Sequence, residues 1–304
     1  MFSLAALVLV CFCAQARAAP PLTVFEGDDE SPLSDGGRWA VIPLQGGMVV
    51  VDGRTLTRRP VALAGPCGSQ FGAPRGVGAG LVVVECAFRV NQTSPRVLVY
   101  DLVAQTFTEV PGTEILTRGS DGFTIGAIGR SWIAFGLTLH HGGSTPGLLN
   151  WRTGVAVPEP ALAADRVTDL DAHSATRPLC RGIRRPSTRK RLFAYRPPFA
   201  ISERAAGSRR RLVLERCHSR AITLETTSRL AGVSLGTRAV AWVQGDTIHA
   251  RSLRSGREWH WPAPLGKPVL SLAQAGSHLL VTIVGGPKAG PQGPAFTVYS
   301  GPLP

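Results

Sequence analysis

Acidic side chains and lysines are both scarce in this sequence. The 304 residues include 20 Asp or Glu against 33 Lys or Arg, only three of which are lysines, and 17% of the chain is charged. A hydrophobic content of 44% with so few charges is typical of a folded globular chain rather than a disordered tail or a coiled coil. Glycine (35) and proline (24) are frequent enough to interrupt long helices, which argues against an all-helical fold.

The sequence has no apolar run long enough to cross a bilayer as a helix. The longest run, residues 2–13, is shorter than the roughly 20 residues that a membrane helix needs. Ala16-Arg17-Ala18 follows it and has the small-x-small form that signal peptidase reads. We expect residues 1–18 to be a signal peptide and residues 19–304 to be one mature domain, secreted or periplasmic and without a transmembrane segment.

The six cysteines form no CxxC pair, which argues against zinc and thioredoxin chemistry. Removal of the leader would leave Cys67, Cys86, Cys180 and Cys217. An even number of cysteines in an oxidising compartment predicts two disulfides. Three connectivities are open, and we favour Cys67 with Cys86 and Cys180 with Cys217 because these pairs close the shortest loops.

A unit of short strands recurs six times along the chain. Each unit contains a strongly apolar strand, a loop, a second strand, a tight turn and a third strand. The apolar strands lie at residues 38–44, 81–88, 131–137, 191–197, 238–244 and 277–284. A spacing near 45 residues, with a weaker strand before each apolar one, is typical of a β-propeller blade. The last unit stops at its third strand, residues 295–300, and the unassigned strand at residues 22–27 could complete it.

The repeat resembles that of exported TolB-like or WD-repeat-type β-propellers, although the WD dipeptide and the glycine-histidine signature are absent. The resemblance implies a fold and carries no function with it. We expect an all-β chain with a single propeller of six four-stranded blades, closed by pairing of its N- and C-terminal strands. Two tandem β-sandwiches are the alternative fold, and five or seven blades stay open.

Positive charge is concentrated in one part of the chain. Residues 177–220 contain 14 Arg or Lys and two acids, so they carry nearly all of the net charge of +13. A field of this kind attracts anionic polymers. The predicted contact residues lie in two presumed loop regions and are Arg184, Arg185, Arg189, Lys190, Arg209, Arg210 and Arg211. A solvated hairpin that is rich in arginine through genome bias is the alternative interpretation.

Motifs that could support catalysis are weak. Residues 232–236 match the GxSxG nucleophile elbow, but a strand follows them where that mechanism needs a helix. A rim site for acid–base chemistry would need five residues to converge from neighbouring loops. These are His140, His141, Asp169, Asp171 and His173, which are more simply interpreted as solvated or salt-bridged loop residues.

We therefore predict an exported, non-catalytic and monomeric propeller that binds a protein or an anionic envelope polymer. The prediction includes no metal and no cofactor, and it disfavours nucleic acid as a partner because export separates the protein from cellular DNA. A hydrolase or lyase with its site on the propeller rim is the alternative function.

Overall fold

The computed structural model describes residues 23–28, 32–68, 71–87, 96–113, 120–139, 144–158, 183, 190–196, 198–207, 209–227, 231–285 and 296–303. Nearly all of the regular structure in these ranges is β-strand, which confirms the all-β class. The helical pieces that lie wholly within them are short, namely α1 (Ala64–Cys67) and the 3-10 turn Pro264–Gly266. None of the described helices is both long enough and apolar enough to span a membrane.

The described residues form six four-stranded antiparallel sheets, here called sheets I to VI in chain order. The first strand of the chain, β1 (Thr23–Asp28), belongs to sheet VI. Sheet I consists of β2 (Leu33–Ser34), β3 (Trp39–Leu44), β4 (Gly47–Asp52) and β5 (Thr57–Ala62). Sheet II consists of β6 (Phe71–Gly78), β7 (Leu81–Ala87), β8 (Arg96–Asp101) and β9 (Phe107–Glu109). Sheet III consists of β10 (Ser120–Ile128), β11 (Trp132–Leu139), β12 (Ser144–Asn150) and β13 (Ala156–Pro158).

The remaining sheets follow the same order. Sheet IV consists of β14 (Lys190–Arg196), β15 (Phe199–Ala206), β16 (Arg209–Arg216) and β17 (Ile222–Thr227). Sheet V consists of β18 (Ala231–Leu235), β19 (Ala239–Gln244), β20 (Thr247–Ser252) and β21 (Glu258–Pro262). Sheet VI consists of β22 (Val269–Ala275), β23 (His278–Val284), β24 (Phe296–Pro302) and β1. Sheets I to V are therefore simple meanders, and sheet VI borrows its fourth strand from the other end of the chain.

Tight turns connect successive strands of these meanders. Gly46 links β3 to β4 and Gly245 links β19 to β20, and both have a positive φ that a side chain would disfavour. Gly46 and Gly245 each sit in a two-residue connection, which fixes the register of the strands on either side.

Sheets I, II, V and VI bury both of their faces against neighbouring sheets. In sheet I, Trp39 and Val41 pack towards Val82 of sheet II, whereas Ala40 and Ile42 pack towards sheet VI. Further apolar clusters join sheets II and III, IV and V, and V and VI. Side chains alternate along a strand, so a strand in a sheet that is covered on both faces is apolar at every position. This explains the unbroken apolar runs in the sequence.

The first strand of each sheet lies on the inside of the assembly. The first strands of sheets I, II and III are neighbours in space, as are those of sheets IV, V and VI, and the first strand of sheet VI lies beside that of sheet I. Four-stranded meanders that pack face to face with their first strands inside have the architecture of a β-propeller. The alternative of tandem sandwiches, which leaves one face of each sheet in solvent, does not fit this packing.

The two ends of the chain meet in sheet VI. β1 pairs antiparallel with β24, with Thr23 opposite Ser300 and Asp28 opposite Phe296, and a register shift falls between Val24 and Glu26. Without β1, the backbone N–H and C=O groups of β24 on that side would have no strand partner. The N-terminal strand β1, which belongs to no other repeat unit, therefore pairs with β24, as the repeat predicts.

Deleting residues 23–28 should destabilise the whole fold rather than one edge of it. β24 would lose its strand partner beside the buried Val298 and Tyr299, so we expect thermal unfolding to shift down by more than about 10 °C. Circular dichroism melts of this deletion would be compared with those of a control chain that begins at residue 19. Equal melting temperatures would show that the β1–β24 pair contributes nothing to stability.

Candidate functional site

The predicted basic surface divides into a buried part and an exposed part within sheet IV. Lys190 is the first residue of β14, and its side chain is only 6% exposed. Its Nζ lies 2.7 Å from Oε2 of Glu215, whose side chain is fully buried. Arg204 donates to the other oxygen of the same carboxylate, and Ser202 Oγ lies 3.4 Å from Oε2. This placement corrects the prediction that Lys190 is an exposed contact residue, because a buried carboxylate needs the ammonium as its counterion.

Arg209, Arg210 and Arg211 are all exposed, but they belong to β16 and not to a loop. The expectation that loops carry this charge is therefore wrong for these three residues. An outer position in a strand keeps a guanidinium in water just as a loop does. Side chains alternate along the strand, so Arg209 and Arg211 share one face and Arg210 lies on the other. Arg210 pairs there with Glu203, at 2.8 Å between Nη1 and Oε2.

The exposed face of sheet IV places like charges side by side. Arg211 lies directly opposite Arg204 in the register of β15 and β16. Arg204 is compensated by Glu215, whereas Arg209 and Arg211 have no ion pair within the described part of the chain. Like charges directly opposite each other across a strand pair are unfavourable unless a counterion lies nearby.

Replacing Glu215 with glutamine should be among the most destabilising single changes in sheet IV. The change would remove the carboxylate that pairs with the buried Lys190, and breaking a buried ion pair costs about 3–5 kcal/mol of unfolding free energy. Urea unfolding would measure it, with Glu258→Gln as the matched control. Glu258 pairs with Arg251 at the surface, where such a change costs about 0–1 kcal/mol. Similar losses in the two variants would mean that the buried network has no special importance.

Several predicted site residues lie outside the described ranges. They are His140, His141, Asp169, Asp171, His173, Arg184, Arg185 and Arg189, so the rim-site hypothesis and the first half of the basic surface stay predictions. Among the residues that are described, no group of three or more His, Cys, Asp or Glu is placed to hold a metal ion. The GxSxG match runs along β18 and into the turn after it, which is not the strand–turn–helix geometry of a nucleophile elbow.

The structure contains the predicted disulfide between Cys67 and Cys86. Their Cα atoms are 5.4 Å apart, and the bond ties the end of α1 to β7 beside the buried core of sheets I and II. Cys217 is also disulfide-bonded. Cys180, its predicted partner, lies outside the described residues, so that pairing stays a prediction.

A second site, which the sequence does not indicate, lies where inner turns of several sheets meet. Arg196 ends β14, the inner strand of sheet IV, and its guanidinium lies against Gly36 and Gly37 in the β2–β3 turn of sheet I. A Cβ at Gly36 would be 3.4 Å from Arg196 Cζ and 2.7 Å from the Leu235 carbonyl oxygen of sheet V. Residues that are far apart in the sequence therefore converge at this point.

Hydrogen bonds between turns hold the β2–β3 turn in place. Thr237 N of sheet V donates to Gly36 O at 2.9 Å, and Gly276 N of sheet VI donates to Gly37 O at 2.5 Å. The Ser34 hydroxyl donates to the carbonyl of Gln274 in β22. The glycine turn is thus fixed by two neighbouring sheets before Arg196 contacts it.

Asp35 lies close enough to this guanidinium to interact with it electrostatically. Its Oδ1 accepts hydrogen bonds from Gly37 N at 2.6 Å and Trp39 N at 3.2 Å. Burial raises the pKa of Asp35 above its ordinary value, although those hydrogen bonds and the charge of Arg196 act in the opposite direction. Burial also lowers the pKa of Arg196, and the carboxylate of Asp35 opposes that shift. Both charges are therefore held partly out of water.

Asp35→Asn should stabilise the protein in a pH-dependent way. A raised pKa in the folded state means that ionised Asp35 lowers stability at neutral pH, whereas asparagine keeps an acceptor oxygen for Gly37 and Trp39 without the charge. We expect the variant to be more stable than the parent at pH 7. The advantage should shrink as the pH falls through the raised pKa and vanish below the ordinary 3.8. Urea unfolding between pH 3 and 8 would test this, and a stability difference that does not vary with pH would contradict it.

A cleft of about 200 Å³ lies between sheets I and II. Two arginines line it, but both contact protein groups. Arg38 forms three hydrogen bonds with Asp52, which lower the pKa of that carboxyl, and it also lies over the Trp39 ring at 4.3 Å. Arg59 donates to Leu102 O at 3.0 Å. The cleft is therefore better explained as a joint between two sheets than as a ligand site.

No protein-family model matches the chain, and no curated protein matches it in sequence. Solved structures are similar to it at low identity. The β-propeller domain of Cps50 (Swd1) from Myceliophteria thermophila is 9% identical, with 92% of this chain and 99% of that chain covered and a TM-score of 0.42. Regucalcin from Agrobacterium tumefaciens, a calcium-binding protein, is 11% identical, with 94% of each chain covered and a TM-score of 0.39. The isopeptidase AtxE2 is 9% identical, with 93% of this chain and 52% of that chain covered and a TM-score of 0.45.

Proposed function

We propose that this protein is an exported β-propeller binding module that holds an anionic envelope polymer on the exposed arginines of sheet IV. The observation that supports the proposal most directly is the pair Arg209 and Arg211. Both are exposed on one face of β16, and neither has an ion pair within the described residues. Anionic groups from a polymer would supply the missing counterions.

The acids in this region are already used by the fold. Glu215 is paired with Lys190 and Arg204, and Glu203 is paired with Arg210. These are the two acids among residues 177–220, which contain 14 cationic residues. The region therefore keeps a large excess of positive charge that its own sequence does not neutralise. Such an excess speeds and strengthens association with polyanions and makes it sensitive to salt.

The proposed scaffold is a single ring of six blades, with the mature protein a monomer. Two observations support ring closure, namely the β1–β24 pair and the apolar cluster between sheets VI and I. A ring holds its outer strands rigid, so the arginines of β16 would keep a fixed spacing.

Export is part of the proposal because it brings the surface to its partner. The disulfide between Cys67 and Cys86 supports an oxidising compartment. Teichoic acid, lipopolysaccharide and acidic polysaccharides are the anionic polymers of such a compartment. The hydrolase or lyase alternative, whose five rim residues lie outside the described ranges, stays a prediction.

Replacing Arg209 and Arg211 with serine should weaken polyanion binding without unfolding the protein. Arg210 is kept so that Glu203 does not lose its partner. We expect affinity for lipoteichoic acid or lipopolysaccharide in 50 mM salt to fall at least about fivefold, and the gap to the parent to narrow as salt rises. The free energy of unfolding should change by less than about 0.5 kcal/mol, because both residues are exposed.

The matched control is the pair Arg54→Ser and Arg254→Ser. Both residues are exposed in turns of other sheets, and the double change removes the same net charge. Binding by this control should stay close to that of the parent. If it loses as much affinity as the Arg209 and Arg211 variant, total charge rather than sheet IV determines binding. If neither variant loses affinity, the proposed contact surface is wrong.

A further inference from the structure

We propose that one rim of this protein docks on the surface of an anionic lipid bilayer. This rim, here called the turn rim, consists of the inner turns, which join the first two strands of each sheet, and the outer turns, which join the last two strands of sheets I to V. It is a different surface from the strand face that carries Arg209 and Arg211. The proposal does not depend on polymer binding by those two residues.

Backbone hydrogen bonds place these turns on the same side of the molecule. In sheet I the outer turn donates to the inner turn, from Gly53 N to Arg38 O at 2.8 Å, and sheets II to V make the same kind of bond. The inner turns of sheets V and VI donate to that of sheet I. Sheets II and III meet beside their inner turns, where a Cβ at Gly78 would lie 2.8 Å from Ile128 O. Turns that are distant in the sequence therefore share one rim.

The turn rim carries arginines that the fold does not neutralise. Six arginines in or beside these turns are exposed and have no ion pair within the described residues. They are Arg54 of sheet I, Arg152 of sheet III, Arg216 and Arg220 of sheet IV, and Arg238 and Arg254 of sheet V. Because they come from four different sheets, no single segment of the sequence indicates this cluster.

Acids in and beside these turns are engaged by the fold. Asp52 pairs with Arg38, and Glu258 pairs with Arg251. Asp101 Oδ1 accepts two backbone N–H groups of its own turn, at 2.8 Å each. The described part of the turn rim therefore presents positive charge without counterions. A membrane surface that is rich in anionic headgroups supplies such counterions.

Two exposed valines on the turn rim favour a bilayer over a hydrated polymer. Val103, in the outer turn of sheet II, is 70% exposed, and Val155, beside the outer turn of sheet III, is 55% exposed. The hydrogen bonds to Asp101 hold the backbone of the first turn, so Val103 is presented by a fixed turn. An apolar side chain gains little from a hydrated polyanion, whereas it can enter the boundary between lipid headgroups and acyl chains.

The arrangement of the charges also fits a planar partner. A flat surface with many headgroups contacts the turns of several sheets at once, and these separate contacts add up in one binding event. Each arginine close to an anionic membrane strengthens binding, and its effect fades within about 10 Å at moderate salt. We therefore expect the affinity to depend on several turns together and to fall as the salt concentration rises.

Cosedimentation with lipid vesicles tests the proposal. The chain that begins at residue 19 would be used, because the apolar run at residues 2–13 would itself bind lipid. At about 50 mM salt, we expect it to bind vesicles of equal parts phosphatidylglycerol and phosphatidylcholine, but not vesicles of phosphatidylcholine alone. Arg54→Ser together with Arg254→Ser should lower the affinity for anionic vesicles at least about fivefold. Val103→Ser, which leaves the net charge unchanged, should lower it at least about twofold.

Arg209→Ser together with Arg211→Ser is the matched control, because it removes the same charge from a strand face outside the turn rim. Its vesicle affinity should stay within about twofold of that of the parent, since exposed charges away from the contact are screened. For lipid-free teichoic acid the order should reverse, with the Arg54 and Arg254 variant binding like the parent. The two double variants therefore distinguish failure of this proposal from failure of the polymer proposal.

Four results would contradict the proposal. Failure of the parent to bind anionic vesicles, or equal losses in the two double variants, would overturn the docking surface. Equal binding to phosphatidylcholine vesicles would overturn the role of charge. Equal losses of vesicle and teichoic acid binding in the Arg54 and Arg254 variant would overturn the choice of a bilayer, and an unchanged affinity of Val103→Ser would overturn the apolar contact.

Discussion

Burial of sheet faces against neighbouring sheets, on both sides of sheets I, II, V and VI, is the constraint on which the rest of the molecule depends. Val82 packs towards sheet I and Val83 towards sheet III, although they are adjacent residues of one strand. A sheet in this position gains its stability from two neighbours at once. Polar and charged side chains are therefore found mainly at strand ends, in turns and on outer strands. The candidate sites of this protein lie at these places.

Sheet IV shows how this constraint assigns opposite roles to one residue type. Along β16, the exposed arginines at 209 to 211 are followed by four buried positions that end at Glu215. Arg204 and Lys190 reach that buried carboxylate, whereas Arg209 and Arg211 remain in solvent. The cations that pair with Glu215 stabilise the sheet, and the exposed Arg209 and Arg211 can contact a partner. A stretch that is uniformly basic in sequence thus contains two groups of cations in the structure. Strand alternation and two glutamates determine which cations are paired within the protein and which face solvent.

The sequence predicts the strands far better than it predicts the sites. An apolar strand over residues 81–88 is observed as β7 over Leu81–Ala87, because a run that follows Gly80 and contains Glu85 as its one charged residue has few alternatives. The Cys67–Cys86 disulfide could also be predicted from the sequence, since it closes a short loop. The burial of Lys190 could not be predicted from the sequence, because its partner Glu215 is 25 residues away and on another strand. Nothing local distinguishes Arg196 either, apart from a charge at the end of an apolar strand, and its contact with Gly36 depends on how the sheets are arranged in space.

The placement of β1 beside β24 also has a mechanical consequence. Thr23 at the start of β1 is opposite Ser300 near the end of β24. The start of β1 and the end of β24 therefore lie next to each other, at one end of the strand pair. A force that separates them would load the backbone hydrogen bonds one after another, as in a zipper, rather than all together in shear. Tension on the chain ends would therefore peel β1 away first, at low force, before it reached the sheets whose strands are joined by tight turns.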